Sequence, residues 1–137
     1  MAKSRTQVLY ERPVTIQQPF VAIIDDDESV REALPVLLQT LGFAAHPFSS
    51  AEEFLASDCI SQSACLILDI AMPSMSGTDL QRELKRRQLA IPIIFITAHC
   101  NEEIRVRLLA GGAVECLFKP VRDSALLNAL KMALARP

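Results

Sequence analysis

The chain has 137 residues, 50% of them hydrophobic, enough for one compact domain with a proper core. Fourteen Lys plus Arg against sixteen Asp plus Glu give a formal net charge of −2, so no basic surplus favours direct binding to nucleic acid. The apolar runs are strand-sized, well short of the roughly 20 residues of a membrane span, and the amino terminus has positive charges without the apolar stretch of a secretory signal, so a cytoplasmic location with no membrane association is expected.

Residues 1–18 contain Pro13, scattered charges and no clear period, and are read as a flexible N-terminal extension in which Val8 to Tyr10 are the apolar exception. The folded domain is placed at 19–137. Strand-like apolar runs then alternate with amphipathic stretches: FVAII, SVREALPVLLQTL, FAAHPF, SAEEFLAS, CLIL, GTDLQRELKRRQ, PIIFIT, NEEIRVRLLA, AVECLF and RDSALLNALKMALA. This is a pattern of five strands and five helices. Uninterrupted apolar strands such as CLIL and PIIFI indicate a doubly wound α/β fold, a parallel sheet covered by helices on both faces.

Local punctuation agrees with this division. Gly42 sits where the first helix should end, Ser50 and Glu53 form a capping box, and Gly111 with Gly112 stops the fourth helix. Pro35 disagrees: inside the first helical pattern it removes a backbone donor, at a cost of about 3 kcal/mol or a kink. Cys59, Cys65, Cys100 and Cys116 show no C-x-x-C spacing and lie in or next to apolar segments, so they are read as reduced core thiols.

In an open parallel sheet, ligands bind outside the carboxyl ends of the strands. The polar residues there are Asp25, Asp26 and Asp27 after the first strand, Asp69 after the third, Thr97 ending the fourth and Lys119 ending the fifth. Carboxylates gathered from two strands repel unless a cation joins them, and hard oxygen ligands that leave room for water suit Mg²⁺. Such an ion also neutralises an incoming phosphoryl group, so one Asp oxygen can attack phosphorus; Asp69 is the expected nucleophile. Lys119 would balance charge on the carboxylate or acyl phosphate, and the Thr97 hydroxyl would donate to a phosphoryl oxygen. Singly, each has a bland explanation: Asp27 reads as the cap of the helix starting near Ser29, a lone Thr as a satisfied loop residue, a lone Lys as a solvated cation. Together, each at the proper end of its strand, they point to one site.

The segments IIDDDESVREAL, LILDIAMPSMSGTDL, IIFITAH and GAVECLFKP resemble the receiver domains of bacterial two-component response regulators, over about Phe20 to Ala135. Within that family the chain most resembles the nitrogen-fixation regulator type, which usually precedes a helix-turn-helix output domain. The resemblance implies a five-stranded sheet of flavodoxin-like order 2-1-3-4-5 with five helices in three layers. It implies that Asp69 is the phosphoacceptor and that Asp25 and Asp26 position Mg²⁺ together with Asp69 and the backbone carbonyl of Ala71. Thr97 matches the family's switch hydroxyl and Lys119 its lysine, with a cis Lys119-Pro120 bond. The implied role is signalling rather than turnover: the domain catalyses its own phosphotransfer and slow autodephosphorylation. A sensor histidine kinase would be the donor, a homodimer would use the fourth helix, fifth strand and fifth helix, and a transcriptional, DNA-binding output domain is expected and absent from this chain.

Several positions depart from the family pattern. Cys116 stands where an aromatic ring usually reports movement of the threonine, and Phe118 is expected on the opposite strand face, a poor substitute. Arg105 and Leu108 stand where small residues are common, Val121 where Phe is common, and Pro35 falls on the first helix, a frequent kinase-docking surface. Two rival readings stay open. Haloacid-dehalogenase-like phosphatases also combine an Asp nucleophile, Mg²⁺, Thr or Ser and Lys, and Asp25-Asp26-Asp27 satisfies their D-x-D pattern, but their nucleophile follows the first strand and leaves MPSMSG unexplained. A degenerate receiver would act as a phosphorylation-independent binding module.

Overall fold

The computed structural model describes residues 18–99 and 101–135, so the expectation for residues 1–18 falls, apart from Gln18, outside the described residues, as does Cys100. Strands and helices alternate as the sequence requires: β1 (Phe20–Ile24), α1 (Glu28–Thr40), β2 (Ala44–Phe48), α2 (Ala51–Leu55), a 3-10 helix (Asp58–Gln62), β3 (Cys65–Asp69), α3 (Gly77–Arg86), β4 (Ile93–Thr97), α4 (Glu102–Ala110), β5 (Glu115–Phe118) and α5 (Asp123–Leu134). The five strands are all parallel, in the order β2-β1-β3-β4-β5, as expected.

The two-residue period of the strands sorts the core into two layers. Ala22, Ile24, Leu66, Leu68 and Phe95 face Phe54, Leu80, Leu84 and Leu108 of α2, α3 and α4. Val21, Ile23, Ile67, Ile94 and Ile96 face Leu34, Leu38, Leu126 and Leu130 of α1 and α5. The central strands β1, β3 and β4 are apolar up to the Asp69 and Thr97 that end β3 and β4, because helices cover both their faces. Among the described residues no helix is long and apolar enough to cross a membrane.

Caps set the loops that carry polar residues. Asp27 caps α1, its carboxylate accepting from the Ser29 N–H at 2.9 Å. At α2 the expected box is half made: Ser50 Oγ accepts from Glu53 N at 3.0 Å, but Glu53 returns to the N–H of Ser49, at 2.7 Å, one residue early. The complete box lies at α3, where Ser76 and Asp79 exchange bonds of 3.1 and 3.0 Å. Gly42 and Gly112 take the left-handed φ values of 97° and 109° that end α1 and α4. Pro35 does not break α1, which runs through it from Glu28 to Thr40 with Leu34 and Leu38 buried on either side. That apolar anchoring on both sides compensates the missing donor.

Pro47 sits in β2, opposite Ile23 of β1. Ala44 donates to Pro19 O and Phe48 accepts from Asp25 N, so these residues turn their backbone groups toward β1. By the strand period, Pro47 turns its backbone to the outer edge, where no ladder bond is lost. Cys65 and Cys116 are buried and Cys59 half-buried, as core thiols should be.

Candidate functional site

The first carboxylate is placed by β1. Its successor Asp25 continues the strand, donating its N–H to Phe48 O at 3.1 Å, while its carbonyl accepts from Arg31 Nη1 of α1 at 3.1 Å. The side chain is fully buried, and Oδ1 accepts from the Asp27 N–H at 2.9 Å. Oδ2 is enclosed without a directed hydrogen bond; its partner is the Lys119 ammonium at 2.8 Å, an ion pair made by proximity. Burying a carboxylate without a partner is costly, so Lys119 is a structural requirement of Asp25 as well as a candidate functional group.

Asp69 ends β3, 5% exposed, with Oδ2 at 3.6 Å from the same ammonium. Asp26 is exposed beside it. Asp25, Asp26 and Asp69 each offer a carboxylate oxygen, all within 4.8 Å of one another, the one such group among the described residues that suits a metal ion. Two enclosed carboxylates and one open to water form a hard donor set that leaves space for retained water, which fits Mg²⁺. Ala71 is exposed in the loop two residues beyond Asp69. Asp27 is the expected cap, its carboxyl held below the usual range by the Ser29 hydroxyl and N–H.

The electrostatics follow from this crowding. Burial and then the neighbouring charge of Asp25 push the Asp69 carboxyl up to about 7, against the pull of Lys119. Burial alone would lower the Lys119 ammonium, but its close ion pair with Asp25 and the charge of Asp69 outweigh that and raise it. Lys119 therefore stays charged while Asp69 wants a second cation.

Thr97 is brought to the same edge and is buried, but its hydroxyl is engaged within its own loop. It donates to His99 O at 3.0 Å and accepts from His99 N at 3.1 Å. The Lys119-Pro120 bond is cis.

Gly77 closes the DIAMPSMSG stretch of the resembling segments but was given no role from sequence, yet it stands directly under Asp69. Its N–H donates to Ile70 O at 2.8 Å, and a Cβ there would lie 2.2 Å from Asp69 O and 3.0 Å from Ile70 Cα. Only glycine lets the first turn of α3 approach this peptide so closely. The signal available was a Gly immediately after a capping Ser. Arg31, which holds the Asp25 carbonyl, had no distinguishing pattern.

The departures resolve as follows. Cys116 is buried in the layer containing Phe95 and Leu108, and Leu117 packs in the other. The expectation for Phe118 is corrected: residues two apart on a strand share a face, so Phe118 returns to the side of Cys116, 53% exposed at its outer rim. Leu108 is buried in the core and Val121 is half-buried against the α1 and α5 layer. Arg105 donates from Nε to Glu115 Oε1 of β5 at 3.0 Å, and its Nη2 lies 2.8 Å from the same oxygen as an ion pair. Arg105, Glu115, Cys116, Leu117 and Phe118 border an open hollow of about 620 Å³ beside Lys119.

Comparison with known proteins places this geometry. A family model described as response regulator receiver domain matches residues 21–131. The chain is similar to the response regulator protein TodT of Pseudomonas putida, 45% identical over 114 residues, covering 83% of this chain and 50% of that protein. It is also similar to nodulation protein W of Bradyrhizobium diazoefficiens, 43% identical over 116 residues, 85% of this chain and 51% of that one. The solved structure of FixJ-N superposes with a TM-score of 0.77 at 35% identity, covering 89% of this chain and 98% of that chain. The chain spans about half the length of the curated relatives it matches.

Proposed function

The chain belongs to the family of response regulator receiver domains, signalling modules of two-component systems, and from that premise we propose that it accepts a phosphoryl group on Asp69 from the phosphohistidine of a sensor histidine kinase. One observation carries the reading: three carboxylates from β1 and β3 gathered within 4.8 Å, with the Lys119 ammonium 2.8 Å from one and 3.6 Å from another.

A carboxylate oxygen of Asp69 attacks phosphorus, a P–O bond forms, and the P–N bond to the donor histidine breaks, its electron pair and a proton going to the imidazole. Asp25, Asp26, Asp69 and the Ala71 carbonyl would hold Mg²⁺. The ion supplies charge neutralisation for the phosphoryl oxygens. Lys119 keeps its bond to Asp25 and offers the remaining donors to the acyl phosphate. The Thr97 hydroxyl exchanges its His99 carbonyl for a phosphoryl oxygen, which connects the site to the loop before α4. Slow attack of water on phosphorus returns the free carboxylate.

The same reading makes the switch regulate an output domain, transcriptional by analogy with the relatives' names, or a homodimer through α4, β5 and α5, in the cytoplasm. Intact-mass analysis with Mg²⁺ and acetyl phosphate, followed by peptide mapping, tests it. A labile adduct at Asp69 that requires Mg²⁺ and is lost in Asp69→Asn is expected. Folded protein that takes up no phosphoryl group would replace this reading with that of a phosphorylation-independent binding module, and multiple turnover of free phosphomonoesters would favour a phosphatase.

A further inference from the structure

Helix α4 follows directly on the loop that holds Thr97, yet it is thinly anchored. Leu108 is its one buried side chain, where α5 has Leu126, Ala129, Leu130 and Ala133. Ile104 and Leu109 are only partly buried. A polar tie supplements this packing. Arg105 reaches across to Glu115 at the start of β5, and Glu115 Oε1 gathers Arg105 Nε at 3.0 Å, Arg105 Nη2 at 2.8 Å and the Cys116 N–H at 3.0 Å. Glu102, one turn earlier, lies 3.5 Å from Arg105 Nη1. The side chains of Arg105 and Glu115 are 33% and 21% exposed, so water screens the pair only in part. The directed Nε bond fixes the orientation of the guanidinium, and the Nη2 contact adds charge attraction to the same oxygen.

Resting on the reading of Asp69 as phosphoacceptor, we infer that the Arg105–Glu115 pair is the latch that holds α4 on the sheet at rest, and that it sets how far α4 answers phosphorylation in a chain with a thiol at position 116. The sequence of events is local. When the Thr97 hydroxyl leaves His99, the loop before Asn101 loses two hydrogen bonds and no longer restrains the first turn of α4. The remaining holds on α4 are the packing of Leu108 with Ile104 and Leu109, the bonds from Gln81 and Lys85 of α3 to Gly111 O at its far end, and, nearest the Thr97 loop, the Arg105–Glu115 pair. Breaking the pair frees the first turns of α4 to move over β5; keeping it leaves them in place. Arg105 is thus a positioning residue, remote from the phosphoryl group.

The test is hydrogen exchange by mass spectrometry on the whole chain, with and without Mg²⁺ and acetyl phosphate, on wild type, Arg105→Ala and Arg105→Lys, the adduct being counted by intact mass in the same samples. In wild type, adduct formation should speed exchange of the α4 peptides. In Arg105→Ala, those peptides should exchange about fivefold faster already at rest, with little added by the adduct, while β1 and β3 peptides are unchanged. Arg105→Lys, which keeps a cation near Glu115, should recover most of the resting protection. Adduct stoichiometry should be the same in all three. Equal α4 exchange in resting wild type and Arg105→Ala, or an equal adduct-induced increase in both, overturns the latch while leaving the phosphoacceptor reading standing. Absence of an adduct in wild type overturns both.

Discussion

Replacing Asp69 by Asn should stabilise the metal-free protein at alkaline pH, and the size of that gain reports how ill at ease the carboxylate is without a cation. In the folded chain burial and the Asp25 charge push the Asp69 carboxyl from 3.8 up to about 7. A carboxyl whose folded pKa is raised binds its proton more tightly when folded, so stability falls as pH rises from about 4 to about 7, and the penalty is complete above that window. Three units correspond to about 4 kcal/mol as a ceiling. The site opens to water beside exposed Asp26, and screening reduces this to about 1–2 kcal/mol. Urea unfolding followed by circular dichroism in EDTA measures it: Asp69→Asn should exceed wild type at pH 8 by about 1–2 kcal/mol more than at pH 4.5. Saturating Mg²⁺ should narrow or reverse the gap by stabilising wild type alone. A gain that is equal at both pH values, or a loss at pH 8, would refute the reasoning, because it would mean that attraction to Lys119 outweighs burial.

Other perturbations read different parts of the same site. Gly77→Ala should cost about 3 kcal/mol or more, since the new Cβ would lie 2.2 Å from Asp69 O and meets only backbone, which cannot swing aside; a thermal melt within a degree of wild type would exclude the close approach. Mg²⁺ at 100 times its dissociation constant should add about 2.7 kcal/mol, with tighter binding at pH 8 than at pH 5 because the ion must displace the Asp69 proton below 7; calorimetric titration at the two pH values checks the direction. Lys119→Met should destabilise by about 2–4 kcal/mol by leaving the fully buried Asp25 carboxylate without its cation. Mg²⁺ should restore more stability to that variant than to wild type, and a Mg²⁺ response no larger than wild type's would oppose it.

Much of the fold was legible because its signals are local. Apolar runs such as CLIL are strands because every residue has a helix to face, and Gly42 and Gly112 end helices because the chain there needs left-handed backbone. The polar residues at strand ends were legible for a topological reason: a parallel sheet delivers all its carboxyl ends to one edge. Three-dimensional contacts were less so. Nothing in the order of residues announces that Glu53 reaches Ser49 rather than Ser50 or that Thr97 spends its hydroxyl on His99, and Ser76-Gly77 marks a helix start without showing that α3 passes under Asp69. Each depends on the angle at which a loop leaves its strand. Pro35 lies inside α1, which runs on from Glu28 to Thr40 with Leu34 and Leu38 anchoring it in the core, so tertiary packing carries the helix past a residue of poor local propensity. The misplacement of Phe118 was an error of period, since it shares parity with Cys116.

The backbone of Pro47 faces the outer edge of the sheet, and this bears on behaviour in crowded solution. An edge strand of a parallel sheet offers unpaired donors and acceptors that a strand of another molecule can adopt, which is how ordered aggregates begin. At Pro47 the exposed edge has no N–H to offer, so an incoming strand meets a gap at the fourth position of a five-residue template. The same ring that leaves the inner ladder with β1 intact makes the outer one a poor seed. Copies of this chain are thereby steered to meet through helices and side chains, surfaces that can be read, released and reused, rather than through backbone ladders that grow without limit.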